Sequence, residues 1–157
     1  DGVDRTILMM LQANGRVSNA EIARQVEMAP SAVLERIRKL EERGVIKAYA
    51  AQLDPQALGQ GLLAYVLVRT ECGSWQAETA AKIAAIPEVQ EVHHIAGEDC
   101  FLVKVRTRDT AALGSLLRDR VSAIECVRST RTTIVLNTVK ETTVVNLNEA
   151  VKAGDVP

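Results

Sequence analysis

The stretch that most constrains this chain runs from Ser18 to Leu53, where apolar residues recur first at helical and then at alternating spacing. Ser18 and Glu21 match a capping box, in which a hydroxyl and a carboxylate each satisfy a free backbone N–H at a helix start. Residues 27–29 read as a tight turn, and Pro30 suits the first position of the next helix. Two short helices joined in this way predict a helix-turn-helix, whose second helix commonly enters the DNA major groove.

A further helix over residues 1–13 precedes this motif, because its apolar residues fall on one face. Asn14 and Gly15 are expected to end that helix in the left-handed conformation. The third helix has an apolar inner face made of Val33, Ile37 and Leu40. It ends at Gly44, and residues 45–53 then alternate like a strand. The first third of the chain is therefore predicted to be a winged-helix-like unit.

Beyond a glycine-bearing joint at residues 58–61, strand and helix patterns alternate. Strands are predicted at 62–72, 89–96, 100–107 and 127–139, and helices begin at Ser74 (running over 75–86) and at Asp109. The order β-α-β-β-α-β predicts a ferredoxin-like domain, so the fold class is α+β. Residues 142–147 could add an edge strand. The predicted organisation is a helix-turn-helix domain at 1–53, a linker at 54–61, a ferredoxin-like domain at 62–140 and a tail at 141–157.

Composition excludes several classes of protein. Apolar residues make up 47% of the 157, enough for a real core, and the net charge of −1 argues against coating nucleic acid by bulk charge. No apolar run reaches the length of a membrane span and no signal peptide is visible, so we expect a cytoplasmic protein. The three cysteines are widely spaced without a CxxC pair, which favours reduced thiols over a zinc site or a disulfide framework.

Candidate DNA contacts follow from the third helix. With its apolar face inward, about 100° per residue puts Ser31, Glu35 and Arg38 on the outer side. Arg38 can form a bidentate contact with guanine, and Glu35 can accept from a cytosine amino group. The alternative is a solvated face held by i,i+4 ion pairs. The full candidate set for DNA is Arg16, Ser18, Ser31, Ala32, Leu34, Glu35, Arg38, Lys39 and Lys47.

From Val3 to about Lys140 the chain resembles the leucine-responsive regulatory protein (Lrp/AsnC, feast/famine) family. The matching motifs are Asp4-Arg5 before Ile7-Leu8, the Ser18 box, Arg36 to Glu41, Gly44-Val45-Ile46, Leu53-Asp54-Pro55, Leu58-Gly59, Pro87-Glu88-Val89, Gly97 and the threonine-rich last strand. The resemblance implies a transcriptional regulator with an N-terminal DNA reader and a C-terminal sensor of amino acids or related metabolites. It also implies homodimers that assemble further, often to octamers.

The resemblance places a ligand site at Gly97, Glu98, Asp99 and Cys100, with Thr130 and Thr132 of the last strand. A zwitterion needs donors for its carboxylate and an acceptor for its ammonium group, and these residues offer both. Two positions depart from the family pattern. Ala29 stands where a serine usually caps the third helix, and Cys100 stands where an aspartate is usual, which leaves the ligand class open.

His93 and His94 are neighbours on a predicted strand and should point to opposite faces, so one metal held by both is not expected. Neither a metal site nor a cofactor motif is expected, and the chain is not expected to be an enzyme. Two alternatives remain open from the sequence. One is a siroheme-decarboxylase-like enzyme, which would use His93 or His94, and the other is an architectural protein that wraps DNA.

Overall fold

The computed structural model describes residues 1–71 and 77–147, which divide into two compact units. One unit comprises Asp1–Gln52 together with the described residues from Glu141 onward, and the other comprises Leu53–Lys140. Among the described residues, no helix has both the length and the apolar character needed to cross a membrane.

The first unit is built from three helices, α1 (Gly2–Ala13), α2 (Asn19–Gln25) and α3 (Pro30–Glu42). Their apolar faces meet in one core of Ile7, Ile22, Ala23, Val33, Ile37 and Leu40. Burying each large aliphatic side chain in such a core contributes about 1.5–3 kcal/mol. The predicted inner face of α3 is confirmed, because all three of its predicted residues are buried. This packing turns the opposite side of α3 to solvent.

Helix caps follow the sequence in most places. Ser18 accepts from the Glu21 N–H at 3.1 Å, as the capping box predicts. The reciprocal half of the box is absent, because the Glu21 carboxylate pairs with Arg24 instead. Ala29 gives α3 no side-chain cap. The first turn of α3 therefore has no side-chain acceptor at its N-cap position.

Backbone geometry corrects one expectation in this unit. Asn14 ends α1 with φ −150°, an extended rather than a left-handed conformation. Gly44 does take the left-handed conformation after α3, with φ +69°. In the turn between α2 and α3, Glu27 has φ +54°, the one positive φ of a non-glycine among the described residues. A side chain with a Cβ rarely adopts this conformation, so the turn carries local strain.

The strand predicted over residues 45–53 does not form, and neither does the edge strand predicted over 142–147. Both segments run without a hydrogen-bonded ladder. Alternation of apolar and polar residues indicates that the two sides of an extended segment have different environments. A β-strand also needs a neighbouring strand that pairs with its backbone N–H and C=O groups. Within the described part of the chain neither segment has a neighbouring strand.

The second unit is a four-stranded antiparallel sheet with helices. Its elements are β1 (Leu62–Thr70), α4 (Ala77–Ala84), β2 (Val89–His94), β3 (Phe101–Thr107), α5 (Thr110–Leu116), one π-helical turn at Leu117–Val121 and β4 (Val127–Ile134). The strand order is β2-β3-β1-β4, so the predicted ferredoxin-like α+β fold is confirmed. The predicted helix start at Ser74 and the end of the first strand at Cys72 lie outside the described residues.

Helices α4 and α5 cover one face of this sheet, and no described helix of the unit covers the other. The covered face supplies Val66, Val68 and Val103, which pack with Ile83 of α4 and Leu113 of α5. Residues opposite each other in antiparallel strands share a face. The intervening residues, such as Tyr65, Leu67 and Lys104, therefore lie on the opposite face, which we call the open face.

The cysteines differ from the sequence expectation. Cys126 is disulfide-bonded, whereas Cys100 is a free thiol. The separation of the cysteines along the sequence does not reveal this arrangement. In the fold, β1 and β4 pair along their length, which brings Glu71 beside Cys126 with a 3.1 Å backbone hydrogen bond. Cys72 lies outside the described residues.

Candidate DNA-reading helix and sensor turn

The outer side of α3 is the candidate DNA surface. Ser31, Leu34, Glu35, Arg38 and Lys39 are all exposed there, and Ala32 is half-buried. The remaining candidates Arg16, Ser18 and Lys47 are exposed at the start of α2 and after α3. The nine predicted residues thus all belong to the first unit, and six of them share one helix.

Three of the four cations in the run from Arg36 to Arg43 differ sharply in their partners. The Arg36 guanidinium bonds both Asp1 and Asp4 at 2.8 Å, which ties α3 to the start of α1. Lys39 Nζ lies 3.8 Å from Glu35 Oε1, one helical turn away. Arg38 has no ion pair or side-chain hydrogen bond among the described residues. Its guanidinium is therefore available to an external acceptor.

An open groove of about 620 Å³ runs along one flank of α3, and Asp4, Met28, Arg36 and Lys39 are among its lining residues. Arg43 also lines this groove and makes no ion pair within the described residues. The sequence analysis did not select Arg43. Its spacing of four residues from Lys39, which places both on one side of the helix, is the signal that could have identified it.

The chain after α3 folds back against the C-terminal end of that helix. The Tyr49 hydroxyl donates to Glu41 Oε1 at 2.9 Å. Partial burial of the phenol, followed by this bond and the Glu41 charge, raises the pKa of Tyr49 to about 12. The bond gives the exposed Glu41 carboxylate a hydrogen-bond donor from within the unit.

The predicted ligand residues of the second unit surround the turn between β2 and β3. Gly97 has φ +124°, a conformation that favours glycine at this turn. Asp99 Oδ2 pairs with Arg131 of β4 at 2.9 Å, and Glu98 lies 3.8 Å from Arg69 of β1. Neither arginine was selected from the sequence. Each arginine could have been identified from the sequence. Arg69 lies between a valine and a threonine of β1, and Arg131 lies between two threonines of β4.

The structure divides the six predicted ligand residues between the two faces of the sheet. Thr130 and Thr132 lie opposite Val68 and Val66, so they belong to the covered face. Cys100 is on that side too, because it packs against the core and its thiol accepts from the Thr70 hydroxyl at 3.0 Å. Asp99 instead pairs with an arginine of the open face. A small ligand could therefore engage Asp99 or the threonines, but the sheet separates them.

The two histidines lie on opposite faces, as predicted from strand geometry. His93 is opposite Leu102 and bonds Glu91 at 3.1 Å. His94 is opposite Phe101, and the two ring centres are 5.5 Å apart with the ring planes tilted by 47°. The His93 bond, and after it that of Lys104, lowers the pKa of Glu91. Within residues 1–71 and 77–147, no three potential metal ligands cluster.

Comparison with known proteins agrees with this architecture. Residues 63–145 match the Lrp/AsnC ligand binding domain, and residues 1–47 match a winged helix-turn-helix DNA-binding domain. The chain is 41% identical over 143 residues to the HTH-type transcriptional regulator FL11 of Pyrococcus horikoshii, covering 91% of this chain and 93% of that protein. It is 37% identical over 145 residues to the leucine-responsive regulatory protein of Escherichia coli K12, covering 90% and 87%.

A solved structure of similar fold is that of a transcriptional regulator from Neisseria meningitidis in complex with L-methionine. It superposes with a TM-score of 0.86 at 31% identity, covering 94% of this chain and 97% of that one. These relatives are regulators, and neither the decarboxylase-like enzyme nor the DNA-wrapping protein gains support from them. The chain therefore belongs to the Lrp/AsnC family of DNA-binding transcriptional regulators.

Proposed function

We propose that the chain reads double-stranded DNA through the outer side of α3, with Arg38 as the residue that contacts a guanine. The observation that carries this proposal is the free guanidinium of Arg38, beside two cations that acidic residues already neutralise. A guanidinium with no internal partner loses no ion pair when it binds a base edge. One good bidentate contact of this kind gives about 1–3 kcal/mol of discrimination.

Arg16, Arg43 and Lys47 support the same surface, since each is exposed and lacks an acidic partner within the described residues. We assign them to phosphate contacts, which position the protein without reading sequence. Lys39 and Glu35 would first have to give up their ion pair. An exposed pair of this kind is worth less than about 1 kcal/mol, so a base or phosphate contact can replace it.

The test starts from a duplex selected out of a random library by the wild-type protein. Arg38→Ala should weaken binding to that duplex by about 10- to 100-fold, and binding to random DNA only a few-fold. Arg24→Ala is the matched control, because Arg24 is already paired with Glu21. Equal affinities of the Arg38→Ala and Arg24→Ala variants for the selected duplex would overturn the assignment.

The second unit is proposed to bind an amino acid at the turn of Asp99. The Asp99–Arg131 pair offers an acceptor for an ammonium group and a donor for a carboxylate within 2.9 Å of each other. A zwitterion carries the complementary charges and could replace the pair. The relative from Neisseria was solved with L-methionine, which makes methionine the first compound to test.

A thermal-shift screen of the twenty amino acids tests this assignment, because a ligand that binds the folded state raises the unfolding temperature. Asp99→Asn should abolish the shift given by the binding amino acid. Asp54→Asn, at an exposed site that precedes β1 and so lies on the side of its Leu62 end, opposite the end at this turn, should leave it unchanged. No shift with any amino acid, or a shift that Asp99→Asn retains, would contradict the proposal.

We also propose that the chain forms homodimers through the open face of its sheet and that the dimers assemble further, to octamers. Tyr65, Leu67 and Leu102 are half-buried on that face, where no described helix of the unit covers them. A second copy would bury them and complete a two-layer arrangement. Light scattering should give a dimer or a multiple of it for the wild type and a smaller species for Leu67→Asp. A monomeric wild type would overturn this proposal.

As a DNA-binding regulator with bacterial and archaeal relatives, the protein is proposed to act in the cytoplasm.

A further inference from the structure

Leu34 is the large apolar side chain of α3 that the fold leaves in solvent. It is 39% exposed, whereas Val33 and Ile37 are 0% and 6% exposed. It is also absent from the residues that pack against the apolar core of its unit. A leucine at this position therefore contributes little to the core of the isolated chain.

The position of Leu34 along α3 gives it defined neighbours. Ser31 precedes it by three residues and Arg38 follows it by four, so the three side chains form one row along the helix. The row presents a hydroxyl, an aliphatic group and a free guanidinium in that order. Glu41 would continue the row, but its carboxylate already accepts from Tyr49.

The major groove offers one apolar group among its base edges, the 5-methyl group of thymine. A serine hydroxyl can bond any base, and an arginine prefers guanine, so only the middle side chain of the row requires an apolar partner. Four residues of helix rise about 6 Å, which corresponds to about two base pairs of DNA. This spacing limits where the partner can lie relative to the guanine.

We propose that Leu34 is a specificity-determining residue that contacts the 5-methyl group of a thymine within two base pairs of the guanine read by Arg38. This inference rests on the proposed role of α3 in reading DNA and adds a base preference to it. It requires no movement of α3, because Leu34 already faces solvent beside Arg38.

The test replaces each thymine of the selected duplex in turn by deoxyuridine, which removes the methyl group and keeps every hydrogen-bonding atom. For the wild type, one replacement near the contacted guanine should weaken binding about threefold to fivefold per half-site, the effect of burying one methyl-sized group. Leu34→Ala should bind the thymine and uracil duplexes equally. Met9→Ala, at a similarly exposed apolar residue of α1, should keep the wild-type preference.

Two results would overturn the inference: no single uracil replacement affects wild-type binding, or Leu34→Ala still distinguishes the two duplexes. Circular dichroism should show that Leu34→Ala folds like the wild type, since the side chain is outside the core. If binding depends on Arg38 but not on the methyl group, only the role of Leu34 fails. If Arg38→Ala binds the duplex normally, the assignment of α3 itself fails.

Discussion

The side chain of Gln12 and the backbone of Val145 exchange two hydrogen bonds. Gln12 Nε2 donates to the Val145 carbonyl at 3.1 Å, and Gln12 Oε1 accepts from the Val145 N–H at 2.7 Å. The side-chain amide thereby gives Val145 the pair of bonds that a neighbouring strand would give. This contact attaches the end of the described chain to α1.

Gln12→Ala should release that contact. Each hydrogen bond contributes about 0.5–1.5 kcal/mol, so the loss of both should make amide exchange at Val145 about 5-fold to 150-fold faster. Gln12→Glu should have a smaller effect, because its carboxylate still accepts from the N–H but cannot donate. Hydrogen–deuterium exchange of residues 141–147 measures the difference. Identical exchange in the wild type and in Gln12→Ala would contradict the prediction.

Arg36 should stabilise the first unit more than an exposed arginine does. It is half-buried and bonds two carboxylates, Asp1 and Asp4. Arg36→Ala is expected to lower the free energy of unfolding by about 1–2 kcal/mol, since the partly buried Asp4 loses its hydrogen bond from the guanidinium. Arg24→Ala removes an exposed pair with Glu21 and should cost under about 1 kcal/mol. Denaturant unfolding of both variants tests this order, and equal losses would refute it.

Glu27→Gly should stabilise the turn between α2 and α3. Its φ of +54° strains a residue with a Cβ by about 1–2 kcal/mol, whereas glycine adopts this conformation freely. Glycine loses more backbone entropy on folding, so the net gain should be at most about 1 kcal/mol. Glu27→Ala keeps the strain and should show no gain. An unfolding midpoint that falls in Glu27→Gly would show that the strain is not relieved.

Tyr49 should titrate well above an ordinary tyrosine. Its pKa is raised from 10.0 to about 12, so the contribution of the neutral phenol to stability is complete below pH 10 and is lost as the pH rises towards 12. In Tyr65→Phe, Tyr49 is the remaining one of the two tyrosines, and its ultraviolet titration should have a midpoint near 12. Glu41→Gln should lower that midpoint. A midpoint at 10 while circular dichroism still reports a folded chain would contradict the prediction.

The sequence predicted well those features that depend on local periodicity. The inner face of α3, the Ser18 cap and the end of α3 before Gly44 all follow from residues close together in the chain, and all are confirmed. The ferredoxin-like fold of the second unit was also predicted correctly, because its βαββαβ order leaves few ways to arrange the sheet. The strand over 45–53 failed because its pattern could not reveal that the described chain supplies no neighbouring strand.

Features that depend on how two strands pair could not be predicted from the sequence of either strand alone. Thr130 and Asp99 were grouped as one site, but the pairing of β1 with β4 places Thr130 on the covered face and the partner of Asp99 on the open face. The disulfide of Cys126 was missed for the same reason, since residues far apart in the chain meet only once β1 and β4 pair. The free state of Arg38 likewise required knowledge of which carboxylates lie beside its neighbours.

The attachment of Val145 to Gln12 has a consequence for synthesis on the ribosome. A nascent chain emerges from its N-terminus, so α1 is available long before residue 145 has been added. The first unit is therefore finished only after the whole of the second unit has been translated. A chain that terminates before residue 145 could fold its three helices but would leave Gln12 without this partner, so the DNA-reading unit differs between chains that include the second unit and chains that stop within it.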